Sequence, residues 1–144
     1  MLFLWVWHLC DDGITRPVIR AEVETASGAW LKVPFLVDTG ADRSVLDATS
    51  LHTIGLPHLP PQHILGGVGG STTTVEVNTQ IRLTDQRGAK ITFRGRYAAF
   101  PEYAALDMSV FGRDIFQILT VIVDRQHDFV ALIGQGHQYT IVAP

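Results

Sequence analysis

The chain has 144 residues, 47% of them hydrophobic and 17% charged, with a formal net charge of −3 at pH 7. That length and apolar share suit one domain, spanning 1–144, with a core of its own. The mild acidity argues against a nucleic-acid partner, and the single cysteine, Cys10, excludes an internal disulfide and fits a reducing, cytoplasmic compartment.

Residues 2–7, Leu-Phe-Leu-Trp-Val-Trp, are entirely apolar. They lack the basic flank and small-residue cleavage site of a signal peptide and are too short to span a bilayer, so no membrane association is expected. Residues 1–9 read as an apolar strand that must find a partner in its own core or in another subunit. Residues 17–24 and 29–37 are rich in β-branched and apolar side chains. The intervening Thr25-Ala26-Ser27-Gly28 makes them a hairpin. Val45 and Leu46 suggest a short strand. Residues 47–54 suggest one short helix, with Asp47 as N-cap and Gly55 as its stop.

Pro57, Pro60 and Pro61 enforce an extended loop. Residues 63–65 then lead as a strand into Gly66-Gly67-Val68-Gly69-Gly70, and residues 71–78 lead away from it. A second hairpin is expected from 80–84 and 90–100, turning at 85–88. Residues 113–119 have helical character after Gly112, and late strands are expected at 120–124, 129–133 and 138–142. The fold class is therefore mainly β, a closed or folded-over barrel with one or two short helices and with extended C-terminal strands over 121–144.

Asp38-Thr39-Gly40-Ala41-Asp42 stands at the end of the apolar run Val33-Pro34-Phe35-Leu36-Val37. A carboxylate where a buried strand breaks into a glycine turn must stay hydrated or hydrogen-bonded, and so costly a placement suggests that the acid does chemistry. Peptide hydrolysis by carboxyl groups needs two of them sharing a proton, one as base and one as acid. The chain holds one Asp-Thr-Gly, so a second carboxyl of this kind must come from a second chain on a two-fold axis.

The stretch 17–47, with its core Phe-Leu-Val-Asp38-Thr-Gly-Ala-Asp42-Arg-Ser-Val-Leu, resembles the first half of a retropepsin, the one-domain aspartic protease of retroviruses. The glycine-rich segment 64–70 resembles that family's flap. Val110-Phe111-Gly112-Arg113-Asp114 resembles the apolar-apolar-Gly-Arg motif before its helix. The resemblance covers roughly 17–133, in the family's order. The apolar start and the longer ending, 121–142, depart from viral retropepsins. The ending is more similar to retropepsin-like domains of cellular proteins.

The resemblance implies a retropepsin-type closed barrel and a homodimer that cleaves extended peptides without a cofactor. Asp38, Thr39 and Gly40 would be catalytic. Gly66, Gly67, Val68, Gly69 and Gly70 would close over the substrate. Ala41, Asp42 and Arg113 would brace the loop, Asp42 and Arg113 as an ion pair. Each motif also has a plainer reading: an ordinary turn, a hairpin without a role, two independent surface charges. The rival overall reading is an inactive dimerisation or peptide-binding module of the same fold. A weaker one is a protomer that pairs with a different chain. His52, His58 and His63 share one stretch, but their spacing fits no known zinc pattern, so no metal is expected. Trp5, Trp7 and Trp30 read as core or interface anchors.

Overall fold

The structure, a computed structural model, describes residues 1–62, 66–67, 70–71, 73–134, 140 and 142. Thirteen strands occur among the described residues. The first five are β1 (Leu2–Val6), β2 (His8–Leu9), β3 (Thr15–Arg16), β4 (Val18–Glu24) and β5 (Trp30–Val37). After β6 (Val45–Leu46) comes helix α1 (Ala48–Ile54), then β7 (Gly66–Gly67), β8 (Gly70–Ser71), β9 (Val75–Thr84) and β10 (Lys90–Ala99). A 3-10 turn at Tyr103–Ala105 precedes β11 (Ser109–Phe111), helix α2 (Arg113–Phe116), β12 (Thr120–Asp124) and β13 (Phe129–Ile133).

Strands β10, β6, β11, β5, β4 and β9 close into a barrel. Alternation explains why. Ile19, Ala21 and Val23 on β4, Val33 and Phe35 on β5, and Val77, Ile81 and Leu83 on β9 all point inward and are almost fully buried. Each large apolar side chain so buried contributes about 1.5–3 kcal/mol. The β4–β5 register sets Ile19 opposite Phe35, and β9 pairs with β10 along its full length, from Val75 opposite Ala99 to Thr84 opposite Lys90. β11 runs parallel to β5, with Val110 beside Leu36.

Outside the barrel, β1, β13 and β12 form a three-stranded antiparallel sheet. The apolar N-terminal strand thus finds its partner within the chain, Phe3 opposite Leu132 and both fully buried. Trp7 interrupts it: its indole N–H donates to the carbonyls of Asp124 (3.1 Å) and Phe129 (3.2 Å), which ties the turn between β12 and β13 to the chain start. The expected single strand over 1–9 is therefore two, β1 and β2. Trp30 carries the Arg82 guanidinium 3.9 Å above its ring, and Arg82 also bonds Glu22.

Two further expectations are corrected. Residues 71–78 and 80–84, expected as separate segments, are joined: β9 runs unbroken for ten residues, Val75–Thr84. Thr79 is buried there because its hydroxyl donates to the Glu24 carbonyl at 2.8 Å. The helix expected over 113–119 ends at Phe116. Ile118 and Leu119 both donate to the Ile115 carbonyl, closing the turn so that Leu119 is buried before β12 begins. Helix α1 has the expected ends, the Asp47 carboxylate accepting from the Ser50 amide and Gly55 in the left-handed region at φ 68°. The strand expected at 63–65 and the one at 138–142, apart from residues 140 and 142, lie outside the described residues.

Candidate active site

β5 carries the chain to Asp38, and the loop is fixed by backbone bonds. The Asp38 amide donates to the Phe111 carbonyl at 3.0 Å, and the Ala41 amide donates to the Asp38 carbonyl at 3.2 Å. The Gly40 amide donates to Asp38 Oδ1 at 3.0 Å. A Cβ at position 40 would lie 3.2 Å from that same oxygen, so glycine lets the amide approach the carboxylate. Asp38 is half-buried, whereas Thr39 and Gly40 are exposed. Among the described residues the Thr39 hydroxyl has no hydrogen-bond partner.

Beneath the loop, the rings of Phe35 and Phe111 stack at 4.0 Å, both fully buried. They lie on the two parallel strands that lead to Asp38 and Gly112, and so set the spacing between these segments. At Gly112 the backbones touch: a Cβ there would stand 2.7 Å from the carbonyl oxygens of Ala41 and Arg43. The Arg113 amide donates to the Ala41 carbonyl at 2.8 Å.

The main polar tie is one that sequence reasoning missed. The Asp114 carboxylate accepts from the Ser44 amide at 2.9 and 3.0 Å and from the Ser44 hydroxyl at 2.7 Å. Ser44 Oγ in turn accepts from the Gly112 amide at 3.1 Å. A parallel tie joins Ser109 to Asp47: the hydroxyl donates to the carboxylate at 2.8 Å and accepts from the Asp47 amide at 3.0 Å. Ser44 and Ser109 are both 1% exposed, so these bonds are shielded from water and stronger for it. The available signal was an acid directly after the Gly-Arg pair, in the first turn of a helix.

Arg113 and Asp42 do meet, the guanidinium donating to the Asp42 carboxylate. Their side chains are 58% and 79% exposed, however, so the pair sits in solvent and holds the loop weakly. Arg113→Ala should therefore cost under about 1 kcal/mol. Gly112→Ala should cost about 2 kcal/mol or more, because its methyl meets backbone that cannot yield. Thermal or urea denaturation of the two variants checks this ordering. A larger loss in Arg113→Ala would contradict it.

In the glycine-rich segment, β7 and β8 pair antiparallel, Gly66 opposite Ser71 and Gly67 opposite Gly70. Val68 and Gly69 lie outside the described residues. The preceding loop is joined to β9 by a bridge between Leu59 and Glu76. The Glu76 side chain, fully buried, accepts from Arg96 Nε at 2.6 Å, the Gln62 amide at 2.9 Å and Arg43 at 3.4 Å. Burial pushes its pKa up, but these donors outweigh burial and hold it below the ordinary value of 4.5. This cluster connects the loop that carries Asp42 and Arg43 to the strand that leads out of the glycine-rich segment.

His52 hydrogen-bonds the Pro101 carbonyl at 3.1 Å and packs near His58, while His63 lies outside the described residues. Among the described residues no group of three potential ligands could hold a metal ion, and no helix is long and apolar enough to cross a membrane.

A closed barrel that presents one Asp-Thr-Gly loop against one Gly-Arg helix start defines a retropepsin-like domain. The chain belongs to the retroviral aspartyl protease family, whose model matches residues 14–142. Among solved structures, it is similar to the EIAV protease in complex with an inhibitor, with 25% identity and a TM-score of 0.53 over 71% of this chain and 86% of that one. It is also similar to a retropepsin-like aspartic protease from Rickettsia conorii, with 16% identity and a TM-score of 0.55 over 92% of this chain and 91% of that one. A third likeness is to the retroviral protease-like domain of Ddi1 from Leishmania major, with 14% identity, a TM-score of 0.50 and 83% and 94% of the two chains covered. No curated protein matches the sequence.

Proposed function

We propose that the protein is a homodimeric aspartic endopeptidase that cleaves extended peptides. The observation that carries this reading is Asp38 itself: a half-exposed carboxylate, locked at a strand end by the Gly40 amide and supported from below by buried Ser44–Asp114 bonds. One such carboxyl per chain makes half of a dyad, and a two-fold axis supplies the other half. The Thr39 hydroxyl, without a partner in this protomer, is available to bond across that axis.

In the dimer, one carboxylate takes a proton from water as the water oxygen attacks the scissile carbonyl carbon. The other carboxyl gives its proton to the carbonyl oxygen. As the diol collapses, the carboxylate that gave its proton takes one back from a diol hydroxyl, the C–N bond breaks, and the proton held by the base passes to the leaving amine. The dyad works with one proton between two carboxyls, so activity should favour mildly acidic pH. Gly66, Gly67, Val68, Gly69 and Gly70 would cover the peptide and bond its main chain, in the manner of an added strand. No metal or organic cofactor takes part. The lone thiol of Cys10, unpaired among the described residues, fits a cytoplasmic setting.

The test is to incubate the purified protein with a diverse peptide mixture from mildly acidic to neutral pH and to map cuts by mass spectrometry. Cuts that depend on Asp38 support the reading. A folded dimer that binds peptides without cutting them would instead make the protein a peptide-binding module.

A further inference from the structure

Leu36 lies on β5 two residues before Asp38, which directly follows the strand's last residue, Val37. Leu36 lines a cavity of about 470 Å³, within the size range of ligand-binding pockets. Its floor is apolar, formed by Leu36 with Leu106 and Met108 from the loop before β11. Its other wall is the turn between β2 and β3, closed by the Gly13 amide on the Cys10 carbonyl at 2.9 Å. That wall is tied to the site, because the Val37 amide donates to the Pro17 carbonyl at 3.0 Å.

The rim is acidic. Asp11, Asp12 and Asp107 face the cavity together with one cation, Arg16. Arg16 is already taken, since its two terminal nitrogens bond the two Asp12 oxygens at 2.9 and 2.7 Å. Asp11 and Asp107 have no ion pair among the described residues, and their charge is left facing the opening.

We propose that this cavity receives a substrate side chain next to the scissile bond and selects one with a long apolar stem and a cationic end, lysine or arginine. The stem would lie on Leu36, Leu106 and Met108, and the charge would reach Asp11 and Asp107. This assignment rests on the reading of Asp38 as the catalytic acid.

The experiment compares two peptides in which a hydroxyethylene group replaces the scissile amide, one with lysine and one with norleucine beside it. Norleucine keeps the stem and lacks the charge. Binding to the parent and to the double variant D11N/D107N is measured by calorimetry at pH 6. The parent is expected to bind the lysine peptide about tenfold more tightly than the norleucine peptide. In the variant that ratio should fall to near one, with norleucine affinity unchanged. Equal affinity in the parent, a ratio that survives in the variant, or no binding of either peptide overturns the proposal. Cleavage of the matching amide peptides by the parent and by Asp38→Asn reports the protease reading separately, because binding here needs no turnover.

Discussion

Asp38→Asn is expected to lower peptide cleavage by about 10³-fold or more while leaving the fold intact. An amide cannot take a proton from water at these pH values, so the proposed dyad would lose its base in both protomers at once. The fold should survive because asparagine keeps the shape and the oxygen that accepts from the Gly40 amide. The bonds that hold the loop, Asp38 N–H to Phe111 and Asp114 to Ser44, do not use the altered atom. Parallel assays of turnover and melting temperature check both halves. Retained cleavage in a well-folded variant would remove Asp38 from the mechanism.

The second large effect concerns Glu76. Glu76→Ala should cost about 3 kcal/mol, because it leaves Arg43 and Arg96, both mostly buried, without their shared anion. It should also slow turnover, since Arg43 follows Asp42 in the candidate active-site loop and Glu76 is the second residue of β9, the strand that follows the glycine-rich segment. The cluster carries a pH signature. The folded pKa of Glu76 lies below its ordinary 4.5, so its contribution is full above that value and is lost as pH falls through the lowered one. Glu76→Gln should therefore be less stable than the parent at neutral pH, and the gap should narrow as the solution becomes strongly acidic. Asp12 and Asp124, whose pKa values are also lowered, act in the same direction in both proteins and drop out of the comparison. Urea denaturation from pH 7 down to pH 3 measures the gap. A gap that stays constant would contradict this role for the carboxylate.

Much of the barrel was legible because it follows local rules. The β4–β5 hairpin announced itself through two runs rich in β-branched and apolar residues around a Thr-Ala-Ser-Gly turn, and α1 through its Asp47 cap and Gly55 stop. The candidate site was legible as three motifs in order. What joins them was not. Ser44 and Asp114 are 70 residues apart, and nothing periodic marks a serine that will be buried under an aspartate. Glu76 alternates with Val75 and Val77 and so reads as an outward, solvated position. It is buried because the loop at 57–62 and Arg96 fold over it. The partner of the apolar N-terminal strand was equally open, since pairing with β13 and pairing with another subunit bury the same residues. Arg113 was legible as a partner of Asp42, but not as an exposed one, because the sequence does not reveal how far the loop stands out from the barrel.

The central claim, one active centre built from two Asp38 side chains, is tested most directly by subunit mixing. A fixed amount of parent is equilibrated with increasing Asp38→Asn protein, and the initial rate on one peptide substrate is recorded. Random pairing predicts that an equal amount of variant lowers the rate to about one half, with further additions lowering it towards zero, as parent chains are drawn into mixed dimers. A rate that stays constant while the two proteins demonstrably exchange subunits would show that each chain works alone, and would contradict the shared dyad.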